Sequence, residues 1–239
     1  MRLLLGSGGI TTEARRAAWV EELSDFLGDV DRVLFVPWAV GDAQAARLRL
    51  IERGLGAGKT LIGIESETDP RAAVREAEAV FVTGGNTFRL LAALEQHGMI
   101  DLLRGRVDEG LPYVGVSAGT NIACPTIATT NDMPIVWPRS NRGLGLVPFQ
   151  INAHFVSGVA HYAVDGALVP YGGETREDRL REYLEMNDRP VLALHEGAIL
   201  RVEAGSARLR GPFGAVWLSR GRDAEPLPPG SELSHLLAG

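Results

Sequence analysis

The chain is 239 residues long, 45% hydrophobic and 23% charged, with a formal net charge of −6. That is enough for one large or two small domains around a sizeable core, and the scattered basic residues exclude the stripe of a nucleic-acid binder. The one cysteine, Cys124, rules out an internal disulfide, and no apolar run reaches the length of a signal core or membrane span, so a soluble cytoplasmic protein is expected.

Arg2–Gly6 reads as a strand, and Thr11/Thr12 then cap a helix in which Trp19, Leu23, Phe26 and Leu27 recur at helical spacing. Arg32–Val36 is a β-branched run stopped by Pro37, followed by a helical stretch from Asp42 to Gly54 and a strand at Thr60–Ile64. Asp69-Pro70 opens a helix running to Glu78, with proline in the first turn where its missing N–H costs nothing. Ala79–Val82 is a buried strand ended by Thr83-Gly84-Gly85-Asn86, and Phe88, Leu90, Leu91 and Leu94 mark a helix that stops near Gly98. Pro112–Val116 is the strand that leads into Ser117.

Strand and helix alternating at this rhythm predict an α/β fold, with a mostly parallel sheet flanked by helices on both faces. In such sheets ligands bind at the carboxyl ends of strands, where Ser117 and the Thr83–Asn86 loop both fall. The last third changes character. Residues 137–146 and 155–173 read as loops. Thr175–Met186 reads as a helix, with Thr175 and Asp178 at capping-box spacing. Val191–Leu194, Ala198–Val202, Ala207–Arg210 and Ala215–Leu218 read as extra C-terminal strands. With no linker or repeat, a single domain over residues 1–239 is expected.

Gly115-Val116-Ser117-Ala118-Gly119 is a G-x-S-x-G pentapeptide between a strand and a helical stretch, the context of a nucleophile elbow. In a chain with 29 glycines such a string also arises by chance, as a small-residue turn. A serine nucleophile needs a histidine base and a group that fixes its tautomer. Of the five histidines, His97 reads as a helix C-cap, His161 as a loop residue and His235 as part of the tail. His154 and His195 both end strand-like runs and compete for the role of base.

Asp132, in the polar turn 129–134, and Glu196 compete for the acid. The order Ser117, Asp132, His154 is that of α/β-hydrolases, but here it is compressed into 38 residues, which excludes an ordinary lipase or esterase. The paired glycines of the Thr83–Asn86 loop can present backbone N–H groups to a ligand. Gly6-Ser7-Gly8-Gly9 begins like a dinucleotide fingerprint but has Thr11 where the third glycine belongs, and Cys124 reads as buried packing. No histidine, cysteine or acidic cluster has metal-ligand spacing, so no metal or other cofactor is expected.

The stretches 117–127, 129–136, 150–155 and 173–177, together with Gly84-Gly85-Asn86-Thr87-Phe88, closely resemble the peptidase E family of α-aspartyl dipeptidases. The likeness runs from the first strand to Glu196, with departures in the loops 137–146 and 155–173. The resemblance implies a metal-independent serine peptidase on a class I glutamine amidotransferase-like fold, hydrolysing dipeptides with N-terminal aspartate. It implies Ser117 as nucleophile, His154 as base and Asp132 as third member, with Glu196 the alternative orienting group. For that reaction we expect oxyanion donors at Gly85 and Ala118 and a carboxylate-binding Arg176. The expected partner is a small Asp-X peptide, with neither nucleic acid nor membrane, and a homodimer is compatible with it. Two other readings are kept: a cyanophycinase-like β-aspartyl peptidase, and a non-catalytic binder of acidic metabolites.

Overall fold

The computed structural model describes residues 1–238. Its first half alternates strands and helices in the order β1 (Arg2–Gly6), α1 (Glu13–Leu27), β2 (Arg32–Val36), α2 (Ala43–Glu52), β3 (Thr60–Gly63), α3 (Pro70–Glu76), β4 (Val80–Val82), α4 (Thr87–Gln96), α5 (Ile100–Asp108), β5 (Tyr113–Val116) and α6 (Ala118–Ile122). The second half comprises β6 (Gln150–Phe155), β7 (His161–Val164), β8 (Ala167–Pro170), α7 (Arg176–Met186), β9 (Val191–His195), β10 (Ile199–Glu203), β11 (Ser206–Arg210), β12 (Ala215–Leu218) and β13 (Glu225–Leu227).

The main sheet has the order β11-β10-β1-β5-β4-β2-β3. Strands β1 to β5 are mutually parallel, and β10 and β11 add antiparallel at the β1 edge. The strands are buried on both faces, and the two-residue side-chain period sorts them. Leu4, Val33, Phe35, Phe81 and Val114 meet Trp19, Leu23 and Phe26 of α1 on one side. Leu3, Leu5, Val80, Val82 and Tyr113 meet Leu90, Leu94, Leu103 and Ile122 on the other. The helix starts follow the sequence signals: Thr12, Asp42, Asp69 and Asn86 each accept a backbone N–H from the first turn, and Thr175 and Asp178 form a reciprocal capping box.

A second sheet, β13-β12-β9-β6, packs its Ile151, Leu192 and Leu194 into the same core as the main sheet. The four predicted C-terminal strands thus divide between two sheets, β10 and β11 joining the first and β9 and β12 the second. Two expectations are corrected. Residues 155–173 are not wholly loop, because β7 and β8 form a hairpin there, exposed along almost its whole length. Helix α5 was not anticipated: its Leu103 and Val107 are buried at i,i+4 spacing, but the surrounding charged residues mask the stripe. No helix among the described residues is long and apolar enough to cross a membrane.

Candidate active site

Strand β5 ends in a turn whose sterics follow from two glycines. A Cβ on Gly115 would lie 2.6 Å from Gly119 O, and one on Gly119 would collide with Val82 O. The chain therefore passes close behind Ser117, which takes φ 54° and ψ −109°. A non-glycine residue there costs about 1–3 kcal/mol of strain. The conformation is held by the Ser117 N–H, which donates to Gly6 O at 2.9 Å, and by the Thr120 hydroxyl, which bonds to Gly6 O and Gly115 O at 2.8 and 2.9 Å.

His154 reaches the serine from the second sheet. Strand β6 departs from regular pairing with β9 between Asn152 and Phe155, and His154 sits in that irregularity with φ 61°. Its backbone N–H donates to Ser7 Oγ at 2.8 Å, and the Ser7 hydroxyl donates to Leu194 O at 3.1 Å. Ser7 is completely buried, so this one hydroxyl ties the loop after β1 to β6 and β9 of the second sheet. The imidazole Nε2 lies 2.7 Å from Ser117 Oγ, and Nδ1 lies 2.7 Å from Glu196 Oε1. An ionised carboxylate only accepts, so Nδ1 carries the proton and Nε2 is left to accept from the serine hydroxyl.

The room for this arrangement comes from Gly8 and Gly9. A Cβ on Gly8 would lie 2.6 Å from His154 Cε1, and one on Gly9 would collide with Glu196 Oε2. Both have positive φ, 119° and 64°, which glycine adopts without strain. The Gly6–Gly9 run is thus a cradle for the histidine and the glutamate rather than a phosphate loop. Its composition was visible in the sequence, but its partners lie about 150 and 190 positions downstream.

Glu196 stands in the turn after β9, where Gly197 N–H bonds to Gly8 O at 3.0 Å. The hydrogen bond from His154 holds the Glu196 carboxyl below its ordinary range; burial opposes the shift, and the charges of His154 and Arg15 add to it. A carboxyl with a depressed folded-state pKa stabilises the fold above its unfolded pKa and loses that contribution as pH falls through the folded value. In urea titrations, the stability difference between the native chain and Glu196→Gln is therefore expected to shrink as pH falls below about 4.5. A difference that widens on acidification would contradict this pairing.

The preference for Asp132 as the group that orients His154 is corrected by the geometry. Asp132 Oδ2 accepts the Thr87 N–H at 2.7 Å and the Thr130 hydroxyl at 3.1 Å. Asn121 and Thr130 complete a polar net around the Thr87 hydroxyl. The carboxylate therefore braces the N-terminus of α4 and, through it, the Thr83–Asn86 loop.

The other candidates separate as follows. His195 bonds to Ser157 Oγ at 2.9 Å and Gly214 O at 3.2 Å, away from Ser117. His97 caps α4 and stacks on Trp38. Cys124 is fully buried, which pushes its thiol up to about 12, and its sulfur accepts the Ile151 N–H, so it packs rather than reacts. Gly85 has φ 142°, and a Cβ there would come within 2.5 Å of Ala39 O. Neither its N–H nor that of Ala118 donates to a protein acceptor among the described residues. Gly84 closes the gap to the elbow, since a Cβ on it would lie 3.0 Å from Ser117 Cβ.

Arg176 opens α7 and is half-buried, with no ion pair or side-chain hydrogen bond among the described residues. Burial and the neighbouring Arg179 lower its guanidinium from the ordinary value, and the charge of Asp132 opposes the fall. It is a half-buried cation close enough to Asp132 to feel its charge. No group of three or more histidine, cysteine or acidic side chains placed to hold a metal occurs among the described residues.

The family model described as peptidase family S51 matches residues 2–210. The chain is 47% identical over 221 residues to a Streptomyces coelicolor protein named Peptidase E, covering 91% of this chain and 87% of the relative. It is 40% identical over 210 residues to a Drosophila melanogaster protein named "Probable alpha-aspartyl dipeptidase", covering 87% and 85%. A solved peptidase from an acI-B1 actinobacterium superposes with a TM-score of 0.65 at 14% identity, over 97% of this chain and 96% of that one, a likeness of fold.

Proposed function

The chain belongs to peptidase family S51, and from that premise we propose that it is a serine dipeptidase cleaving peptides with N-terminal aspartate through Ser117, His154 and Glu196. The observation that carries the reading is the unbroken hydrogen-bonded line Ser117 Oγ, His154, Glu196, with both steps at 2.7 Å. Three elements far apart in sequence converge to build it.

In this reading Ser117 Oγ attacks the carbonyl carbon of the N-terminal aspartate while His154 Nε2 takes the hydroxyl proton. Glu196 keeps the imidazole in the accepting tautomer and stabilises the imidazolium that forms. The N–H groups of Gly85 and Ala118 bind the oxyanion, each contributing about 2.7–4 kcal/mol to barrier lowering. Collapse breaks the peptide C–N bond, and His154 returns the proton to the leaving amine. A water deprotonated by the same histidine then hydrolyses the aspartyl ester and restores Ser117. Asp132 acts by position, fixing the loop that carries Gly85.

Arg176 supplies the cation for the aspartate side chain, because a guanidinium fork matches a carboxylate. A charge-assisted hydrogen bond of about 1.5–3 kcal/mol corresponds to roughly a 10- to 150-fold change in rate. Arg176→Ala is therefore expected to lower kcat/KM for Asp-Leu by that factor and to leave Ala-Leu nearly unchanged. An equal loss on both peptides would remove Arg176 from specificity.

The proposal as a whole is tested by assaying α-Asp-X, β-Asp-X, Glu-X and longer peptides, alongside labelling with a fluorophosphonate. Turnover of α-Asp-X with labelling at Ser117 is expected. Cleavage confined to β-Asp-X would favour the β-aspartyl peptidase reading, and binding without labelling or turnover the non-catalytic one. Action on free small peptides in the cytoplasm is part of the same proposal.

A further inference from the structure

A cavity of about 220 Å³ lies between the Thr83-Gly84 segment and helix α2. Val40, Ala46, Leu50 and Leu55 give it apolar walls, and Arg49 and Arg53 line it as well. The cavity is below the roughly 300–1,000 Å³ of sites for drug-sized ligands and is suited to a single amino acid. Gly84 also lies against Ser117, a Cβ on it falling 3.0 Å from Ser117 Cβ, so the cavity borders the nucleophile.

The two arginines are four residues apart, at the end of α2 and its C-cap, so they project on one helix face. Neither makes an ion pair, nor does either guanidinium donate to a protein acceptor among the described residues. Arg47, their neighbour, shows the contrast: it is tied to Leu61 O and paired with Glu65. In a chain of net charge −6, two uncommitted cations beside a nucleophile are a site for an anion.

We propose that this cavity holds the leaving amino acid, with its α-carboxylate bound by Arg49 and Arg53 and its side chain against the apolar walls. The inference rests on the dipeptidase reading above and adds to it the basis of length selection. In a dipeptide the free carboxylate stands two bonds from the scissile nitrogen, within the leaving residue itself. In a longer peptide that position is a neutral amide, which leaves both guanidinium groups without an anionic partner and pushes the next residue against the wall of α2. Recognition of the aspartate falls to Arg176 of α7, so the two ends of the substrate are read by separate cations.

The test measures kcat/KM for Asp-Leu and Asp-Leu amide in the native enzyme, in Arg49→Ala, Arg53→Ala and the double variant, and in Arg49→Lys/Arg53→Lys. The native enzyme is expected to prefer Asp-Leu over the amide by at least about tenfold, since each charge-assisted bond is worth that much or more. The double alanine variant is expected to collapse the ratio toward one, and the lysine pair to restore part of it. Both positions are exposed and alanine is the best helix former, so an unchanged melting temperature is expected. A ratio that does not move, or an equal loss on both substrates, overturns the subsite while the dipeptidase reading stands. Failure of the native enzyme to cleave either substrate overturns both.

Discussion

Ser117→Ala is expected to abolish peptide turnover and fluorophosphonate labelling while leaving the fold intact. Loss of the nucleophile in a serine triad lowers kcat on the order of 10⁶-fold. The elbow itself survives, because its geometry is set by Gly115 and Gly119 and by the bond from Ser117 N–H to Gly6 O, none of which uses the hydroxyl. Alanine carries the same Cβ into φ 54° and inherits the strain, so the melting temperature should barely move. Ser117→Gly should be equally inactive but more stable. Relief of the strained conformation outweighs the added entropy of an unfolded glycine, leaving a gain of about 1 kcal/mol, or about 2–4 °C in Tm for a chain of this size. Residual turnover near the native rate in either variant would remove Ser117 from the reaction. A glycine variant less stable than the alanine one would show that the turn is not strained.

The second large effect separates two carboxylates. Glu196→Gln is expected to lower kcat by about 10⁴-fold, the scale seen when an orienting carboxylate becomes an amide. A glutamine side chain can donate to Nδ1 and so place the imidazole proton on Nε2, where it can no longer accept from Ser117. Asp132→Asn retains an oxygen that can accept the Thr87 N–H, and its kcat is expected to stay within about tenfold of native, as for a positioning role. Asp132→Ala leaves the buried Thr87 N–H unsatisfied, at a cost of about 1–3 kcal/mol in stability. The discriminating readout is kcat measured on folded variants. The Glu196 variant loses about 10⁴-fold, whereas Asp132→Asn stays within about tenfold of native. If the two substitutions exchanged these signatures, Asp132 would be the orienting residue.

The elbow turn and the parallel core were legible because each depends on short-range pattern; the residues alone left His154 and His195 competing, and the family resemblance pointed to His154. Gly115 and Gly119 flank a serine at the end of an apolar run, and His154 ends another. The acid was not legible by the same means. Chain order pointed to Asp132 because that residue lies between Ser117 and His154 and in the same corner of the fold. The choice between it and Glu196 depends on a few ångströms. Glu196 reaches His154 because β9 runs parallel beside β6, an alignment made by pairing residues some 40 positions apart. In sequence Gly8 and Gly9 match only the start of a dinucleotide fingerprint, and the approach of His154 and Glu196 reveals the space they leave.

The sequence by itself determined the alternation of strands and helices, the serine at a tight turn and the two strand ends that carry His154 and His195. These follow from local sterics and side-chain periodicity, which act over a few residues. Only the tertiary structure decided which carboxylate meets the histidine, how the C-terminal strands divide between two sheets, and that Arg49 and Arg53 share a cavity with the wall of the nucleophile. Those are contacts between segments distant in the chain. Their geometry is set by the packing of whole sheets and helices, and no local pattern encodes it.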